Sequence, residues 1–460
     1  MSLPRPRVHL APARNWMNDP NGLVHIDGRW HAFFQYNPEG NDWGNMSWGH
    51  ASSSDLLHWE EHPVALPHRP DEQIFSGSVV AGPGSTLTAF YTSAYAHGIQ
   101  AQSRATSVDG GLTWTPDAAN PVLDRGSADF RDPKVIALPD GGWLMLAVEA
   151  VERRVVFYAS DDLDTWRETG AYGPLGPEDV VWECPDLVRL EIEGTDATAW
   201  VLLLSTNPVG DDADPSGSAM HYVVGDLVDG VFRAEEDALV PVDHGRDLYA
   251  GVTFHGAPGG AAVMLAWMSN WRYAHAVPTA PWRGAMSLPR TLGLRRIAGV
   301  LRLVQHPVLP ADLDDVPSPA AGVTPHAVIE VHPDPASTGI LRLRLEGATD
   351  AAVEIVHDPA TRTLAVSRSG EAARTLHPDF AGTRTAPLLE TGAGAFTIVL
   401  DGPLLEVFAD RGATVLSHLV TLGGGPVTVH ATAEGSEAPA VRIVALADDA
   451  QEGLAAPAAA

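Results

Sequence analysis

The sequence predicts an all-β chain, and three observations carry that expectation. Glycine (44) and proline (37) are frequent, so turns must be closely spaced. No long apolar stripe recurs at helical period. Short strand-like runs, such as "WLMLAVEA" (143–150), "AWVLLLST" (199–206) and "AAVMLAWM" (261–268), stand between turn residues. With 460 residues, the chain is long enough for two or more domains.

Self-similarity organises the first of these. "SSSDLLHWEEH" (52–62), "TSVDGGLTWTPD" (106–117) and "ASDDLDTWRETG" (159–170) each carry a small polar residue, an Asp and a short turn before Trp59, Trp114 or Trp166. A weaker copy, "VGDLVDGVFRAE", places Phe232 in the aromatic position. A period near fifty with strands and turns between suits the blades of a β-propeller. Counting seventeen or eighteen residues onward from each aromatic reaches Ser76, Asp132, Glu183 and Tyr249. The "RNWMNDPNGLVH" stretch (14–25), with Asp19 in a run of turn formers, opens a fifth equivalent unit. The units start near 16, 74, 130, 182 and 248, and their opening strands are expected to line one central channel. The three tryptophans of the repeat read as packing at blade edges, and His50 as a structural hydrogen-bonding group.

The rest of the chain fits a second domain. A Pro-, Asp- and Ala-rich linker is expected over 309–322. Beyond it, nine short alternating strands from "HAVIEVH" to "AVRIVALA" suit two packed antiparallel sheets. The expected organisation is a five-bladed β-propeller over 1–308, a β-sandwich over 323–450 and a disordered tail over 451–460. The sandwich reads as support for the propeller or as a dimer contact, so a monomer or a homodimer is expected.

Charge and composition exclude several classes of function. The net charge of −29 repels phosphate backbones and anionic membranes, so neither nucleic acid nor a membrane is an expected partner. A single cysteine, Cys184, rules out an internal disulfide framework and cysteine-rich metal sites. No HExxH, P-loop or GxGxxG motif stands in a convincing context. The N-terminus lacks the apolar core of a secretion signal, so a cytoplasmic location is expected, or a secreted one if a leader was trimmed.

Asp19, Asp132 and Glu183 then converge on one channel, and paired carboxyl groups flanking an acetal bond are the machinery of glycoside hydrolysis. Asp19, with Asn18 and turn N–H groups to hold it ionised, reads as the nucleophile. Glu183, between Trp182 and Cys184–Pro185, is expected in an apolar setting that raises its pKa, as an acid/base needs. Asp132 follows Arg131, whose charge is expected to keep it ionised for gripping sugar hydroxyls. The nucleophile and acid/base carboxyls are expected about 5–5.5 Å apart.

These segments resemble a known family. "WMNDPNG", "FFQYNP", "WGNMSWGHA", "FSGS", "FRDPKV", "WECPDL" and "PWRGAMSLPR" look like glycoside hydrolase family 32, the β-fructosidases, in order from about residue 7 to 310. The resemblance implies retaining, exo-acting release of terminal fructose from sucrose, fructo-oligosaccharides, inulin or levan. It assigns Asp19 as nucleophile, Glu183 as acid/base and Asp132 as transition-state stabiliser. It places Asn18, Gln35, Trp43, Phe75, Ser76, Arg131 and Trp282 on the sugar, with Trp267 and Trp271 competing for the place of Trp282. No metal and no cofactor are implied. A fructosyltransferase of the same family would share the acids and differ in its acceptor. A lectin-like propeller without catalysis would not need the complete trio.

Overall fold

The computed structural model describes residues 3–210, 214–311, 314–315, 324–333, 338–390, 394–434 and 439–446. The expected tail 451–460 and most of the expected linker 309–322 lie outside the described residues. The chain is all-β: among the described residues the one α-helix is Glu371–Leu376. No described helix is long and apolar enough to cross a membrane.

Five sheets of four or five strands occupy the chain from Asn15 to Pro307. Their opening strands are Asn15–Ile26, Glu72–Ala81, Phe130–Ala137, Val180–Glu191 and Tyr249–Thr253. These five touch in a closed ring, the last against the first, which makes the fold a β-propeller. Each opening strand carries a register shift against its neighbour: between Met17 and Pro20, between Phe75 and Gly77, at 132–133, between Glu183 and Asp186, and between Tyr249 and Val252. A bulge bends the strand and re-aims a side chain, and here it does so at the same level of all five strands.

The sequence repeat has a physical basis at the outer turns. Ser53, Ser107 and Ser160 each donate their hydroxyl to the Asp two residues on, at 3.0, 2.8 and 3.1 Å. The same hydroxyls accept backbone N–H groups of Leu56, Gly111 and Leu163. Small polar side chains thus supply the turn with hydrogen bonds that a strand would have supplied. Trp59 and Trp114 then donate their indole N–H to a carbonyl three residues back and pack into the cores of the first and second sheets.

Beyond residue 314, two further sheets face each other as a β-sandwich. Ile329, Leu343, Ile355, Val366, Ile398, Val407 and Leu416 fill the space between them. Alternate residues of each strand point inward, as period-two patterning requires. Two strands, Asp314–Asp315 and Gly382–Pro387, were not anticipated, because "DD" and "GTRTAP" show no alternation of large apolar residues.

Buried ions join the two parts. Arg290 of the fifth sheet has no exposure and meets Glu406 of the sandwich at 2.6 Å and Asp243 at 3.2 Å. Arg368 of the sandwich meets Asp247 at 2.8 Å. His9 lies between Asp401 (2.7 Å) and Glu406 (2.9 Å). Burial alone would lower the His9 imidazole, yet the hydrogen bonds and charges of the two carboxylates push it up to about 9. Removing one partner of such a set leaves an uncompensated buried charge. Arg290→Ala should therefore lose about 3–5 kcal/mol in urea denaturation. A loss below about 1 kcal/mol, the surface-pair range, would show that the seam does not depend on it.

Candidate active site

The bulges of the first four opening strands face one cavity of about 320 Å³ at the mouth of the channel. Its walls are Asn18, Asp19, Gln35, Trp43, Phe75, Ser76, Gln100, Arg131, Asp132, Glu183, Asn207 and Trp271. Residues from all but the fifth opening strand appear there, and that strand reaches the site through Tyr249. Gly77 permits the second bulge: a Cβ there would sit 2.1 Å from the Phe90 carbonyl oxygen. Asp132, Cys184 and Ala250 hold positive φ of 61°, 48° and 54°, a strained conformation for residues with side chains. Each is tied down by its own N–H or a neighbour's side chain. The Asp132 N–H donates to Thr92 Oγ1 at 2.9 Å, the Cys184 N–H to Asp132 Oδ2 at 2.9 Å, and the Ala250 N–H to Ser205 Oγ at 2.9 Å.

Asp19 accepts from Asn18 Nδ2 at 2.9 Å and from Ser76 Oγ at 2.8 Å, with the Cys184 thiol at 3.6 Å. Asn18 is itself oriented by the Trp16 indole, at 2.7 Å. Burial pushes the Asp19 carboxyl above its ordinary range and the Glu183 charge adds to this, while Asn18, Ser76 and Cys184 pull it back. Glu183 receives Arg131 Nη2 at 3.1 Å on one oxygen and the Tyr249 hydroxyl on the other.

Two electrostatic expectations are corrected. The apolar setting expected for Glu183 is not what the fold provides. Trp182 turns into the core between the third and fourth sheets, Cys184 turns toward Asp19 and Asp132, and the carboxyl meets two donors instead. Arg131 does not keep Asp132 in the usual carboxylate range either. Burial outweighs it, and with the charges of Glu183 and Asp19 pushes Asp132 up to about 7.

The cavity gathers Asp19, Asp132 and Glu183 together with Asn18, Gln35, Trp43, Phe75, Ser76 and Arg131. Trp282 is the exception. It pairs in parallel with Asn15 and packs on Tyr273, Phe380, Leu404 and Leu419 at the seam with the sandwich, so it is a core residue. Trp267 is fully buried beneath the site. Trp271, stacked on Trp16 with ring centroids 5.9 Å apart, takes the wall position. Tyr249 stood in the repeat register but was given no role, and Gln100 and Asn207 carried no motif. Among the described residues, no group of three His, Cys, Asp or Glu side chains is arranged to hold a metal ion.

Below the cavity the channel is closed. Lys134 Nζ lies 3.1 Å from Asp186 and donates to the Thr253 carbonyl at 2.6 Å. The Thr253 hydroxyl donates to Asp186 at 2.7 Å. All three residues are buried.

The raised Asp132 has a consequence for stability. Between its unfolded pKa of 3.8 and about 7, the folded chain binds a proton that the unfolded chain releases. Its contribution therefore declines as pH rises through that window. Asp132→Asn, permanently neutral, should gain melting temperature over the parent at pH 8 and gain little at pH 4. An equal difference at both pH values would contradict the raised carboxyl.

Comparison with known proteins places this geometry. The model of the glycosyl hydrolases family 32 N-terminal domain matches residues 9–307, and that of the family 32 C-terminal domain matches 310–445. Levanase of Bacillus subtilis is 38% identical over 457 residues, covering 90% of this chain, which spans 66% of that protein. Extracellular exo-inulinase inuE of Aspergillus ficuum is 33% identical over 502 residues, covering 95% of this chain and 93% of that one. Among solved structures, exo-inulinase of Aspergillus awamori superposes with a TM-score of 0.85 at 32% identity, covering 96% and 98% of the two chains. A β-fructofuranosidase of Schwanniomyces occidentalis complexed with fructosyl-erythritol gives 0.87 at 28%, with 96% and 98% covered. Matched by the family's models over both of its parts, the chain is a glycoside hydrolase and belongs to glycosyl hydrolase family 32.

Proposed function

We propose that the chain is a retaining, exo-acting β-fructofuranosidase that frees terminal fructose from sucrose, inulin or levan. The observation that carries this reading is the meeting of Asp19, Asp132 and Glu183 in one cavity. The relatives named levanase and exo-inulinase support the substrate class. The closed channel floor supports exo action, because a blind funnel takes the end of a chain and not its middle.

Each step has a residue to perform it. Glu183 gives its proton to the glycosidic oxygen while an Asp19 oxygen bonds to C2 of the fructosyl unit and the C2–O bond to the leaving group breaks. Asn18 and Ser76 orient Asp19 for that attack. A water molecule then gives a proton to Glu183, its oxygen bonds to C2, and Asp19 departs with net retention. Glu183, its side chain 21% exposed, is open to the water of the cavity, whereas Asp132 is buried. Asp132 lies beneath the ring position, where its carboxyl meets sugar hydroxyls as charge develops. Trp43, 48% exposed and edge-on to Phe75, roofs the mouth.

Reducing-sugar release from sucrose, inulin and levan tests the activity. Free fructose as the sole new product supports hydrolysis, whereas oligosaccharides longer than the substrate would assign a transferase. No release from any of the three by folded protein would sink the enzyme reading. Glu183→Ala should lose roughly 10²–10⁴ in rate on sucrose and much less on a fructoside with a good leaving group. Equal losses on both would remove Glu183 from the acid role.

A further inference from the structure

A second set of side chains lies at the seam between propeller and sandwich, away from the active site. His418 is 1% exposed, and neither of its ring nitrogens has a hydrogen-bond partner among the described residues. It shares the inward face of strand Thr414–Leu419 with core residue Leu416. Arg368 and Arg384 come from the opposite sheet. The pairings Val366–Arg384 and Arg368–Gly382 set them diagonally on one face. Arg246 comes from the propeller, and its N–H donates to the Ser417 carbonyl at 3.0 Å. Arg368 Nη1 donates to the Leu419 carbonyl at 3.0 Å. The Arg246 main chain and the Arg368 guanidinium thus bracket His418 along its own strand.

The four groups feel one another. After burial, the charges of Arg368, Arg384 and Arg246 hold the His418 imidazole well below its ordinary range. Arg384 is lowered by burial and then by Arg246. Arg368 is matched by Asp247. Among the described residues, the Arg246 guanidinium donates only to the Pro215 and Asp379 carbonyls. The Arg384 guanidinium has no hydrogen bond or ion pair among the described residues, and Asp214 is the carboxylate that acts on it. The Nε atoms of both Arg246 and Arg384 are buried without a partner among the described residues. In a chain of net charge −29, two half-buried arginines without an ion pair among the described residues are an anomaly, and buried donors left unmatched are rare.

We propose that Arg246, Arg384 and His418 form a binding site for a small oxyanion, a phosphate ion or a phosphate monoester, which ties the sandwich to the propeller. Planar guanidinium donors and an imidazole suit the three-oxygen face of phosphate. Both arginines reach solvent, so the site can fill and empty without unfolding. The occupant takes the donors that the protein leaves unmatched, and it offsets the repulsion between the two arginines.

The experiment is titration of the full chain with inorganic phosphate by calorimetry, with thermal melting at matched ionic strength in sodium chloride as reference. The expected result is saturable binding and a rise in melting temperature of about 2–4 °C. Arg384→Gln removes no side-chain hydrogen bond or ion pair among the described residues, so it should fold as the parent does, keep sucrose hydrolysis, and bind phosphate at least about tenfold more weakly. General stabilisation by phosphate as a kosmotrope acts on both proteins alike, so their difference reads the site. A parallel arm with glucose 6-phosphate separates the sources: tighter binding than phosphate assigns the ester, equal or weaker binding the free ion. Absence of saturable binding by the parent, or binding unchanged in Arg384→Gln, overturns the proposal.

Discussion

Asp19, Asp132 and Glu183 repel one another across a single buried cavity, and the local irregularities of the propeller serve to keep them there. A regular strand would alternate its side chains and carry only some of these groups toward the axis. The five bulges re-aim them all at one level, and the strained backbone at Asp132, Cys184 and Ala250 is the cost of doing so. The N–H of Cys184 then serves the neighbouring blade by donating to Asp132. Arg131 likewise reaches from the third sheet to Glu183 of the fourth. The acids are therefore cross-braced between blades, and each takes a partner from a blade other than its own.

Much of this was legible because the repeat carries register. Seventeen residues from a turn-closing tryptophan to the next opening strand is a length, and length survives from sequence into structure. That is why Asp19, Asp132 and Glu183 could be brought together on paper although they are far apart in the chain. The environment of each acid was not legible. Adjacent residues in a strand point to opposite faces, so Trp182 and Cys184 could not both surround Glu183, and its true neighbours, Arg131 and Tyr249, are supplied by other blades. The same limit misplaced Trp282. Its flanking motif is shared with the site, but the parallel pairing with Asn15 turns the indole toward the sandwich, and Trp271 fills the wall.

The sandwich is not a loose appendage in this structure. His9, near the N-terminus, reaches both Asp401 and Glu406, and Glu406 is also the partner of Arg290 at the end of the propeller. Both ends of the propeller chain are thus fastened to the same pair of sandwich strands. Such a clasp resists the radial opening that a ring of sheets, held together only by neighbour contacts, would otherwise allow.

The clasp has a bearing on how the molecule meets salt. Its ion pairs are buried, and mobile ions screen such pairs far less than exposed ones. The surface, by contrast, carries a large negative excess whose self-repulsion works against compactness. Rising ionic strength therefore relieves the unfavourable charge on the outside while leaving the favourable charge on the inside almost untouched. Stability that holds or rises with salt follows from the acidic surface and the buried arginines together.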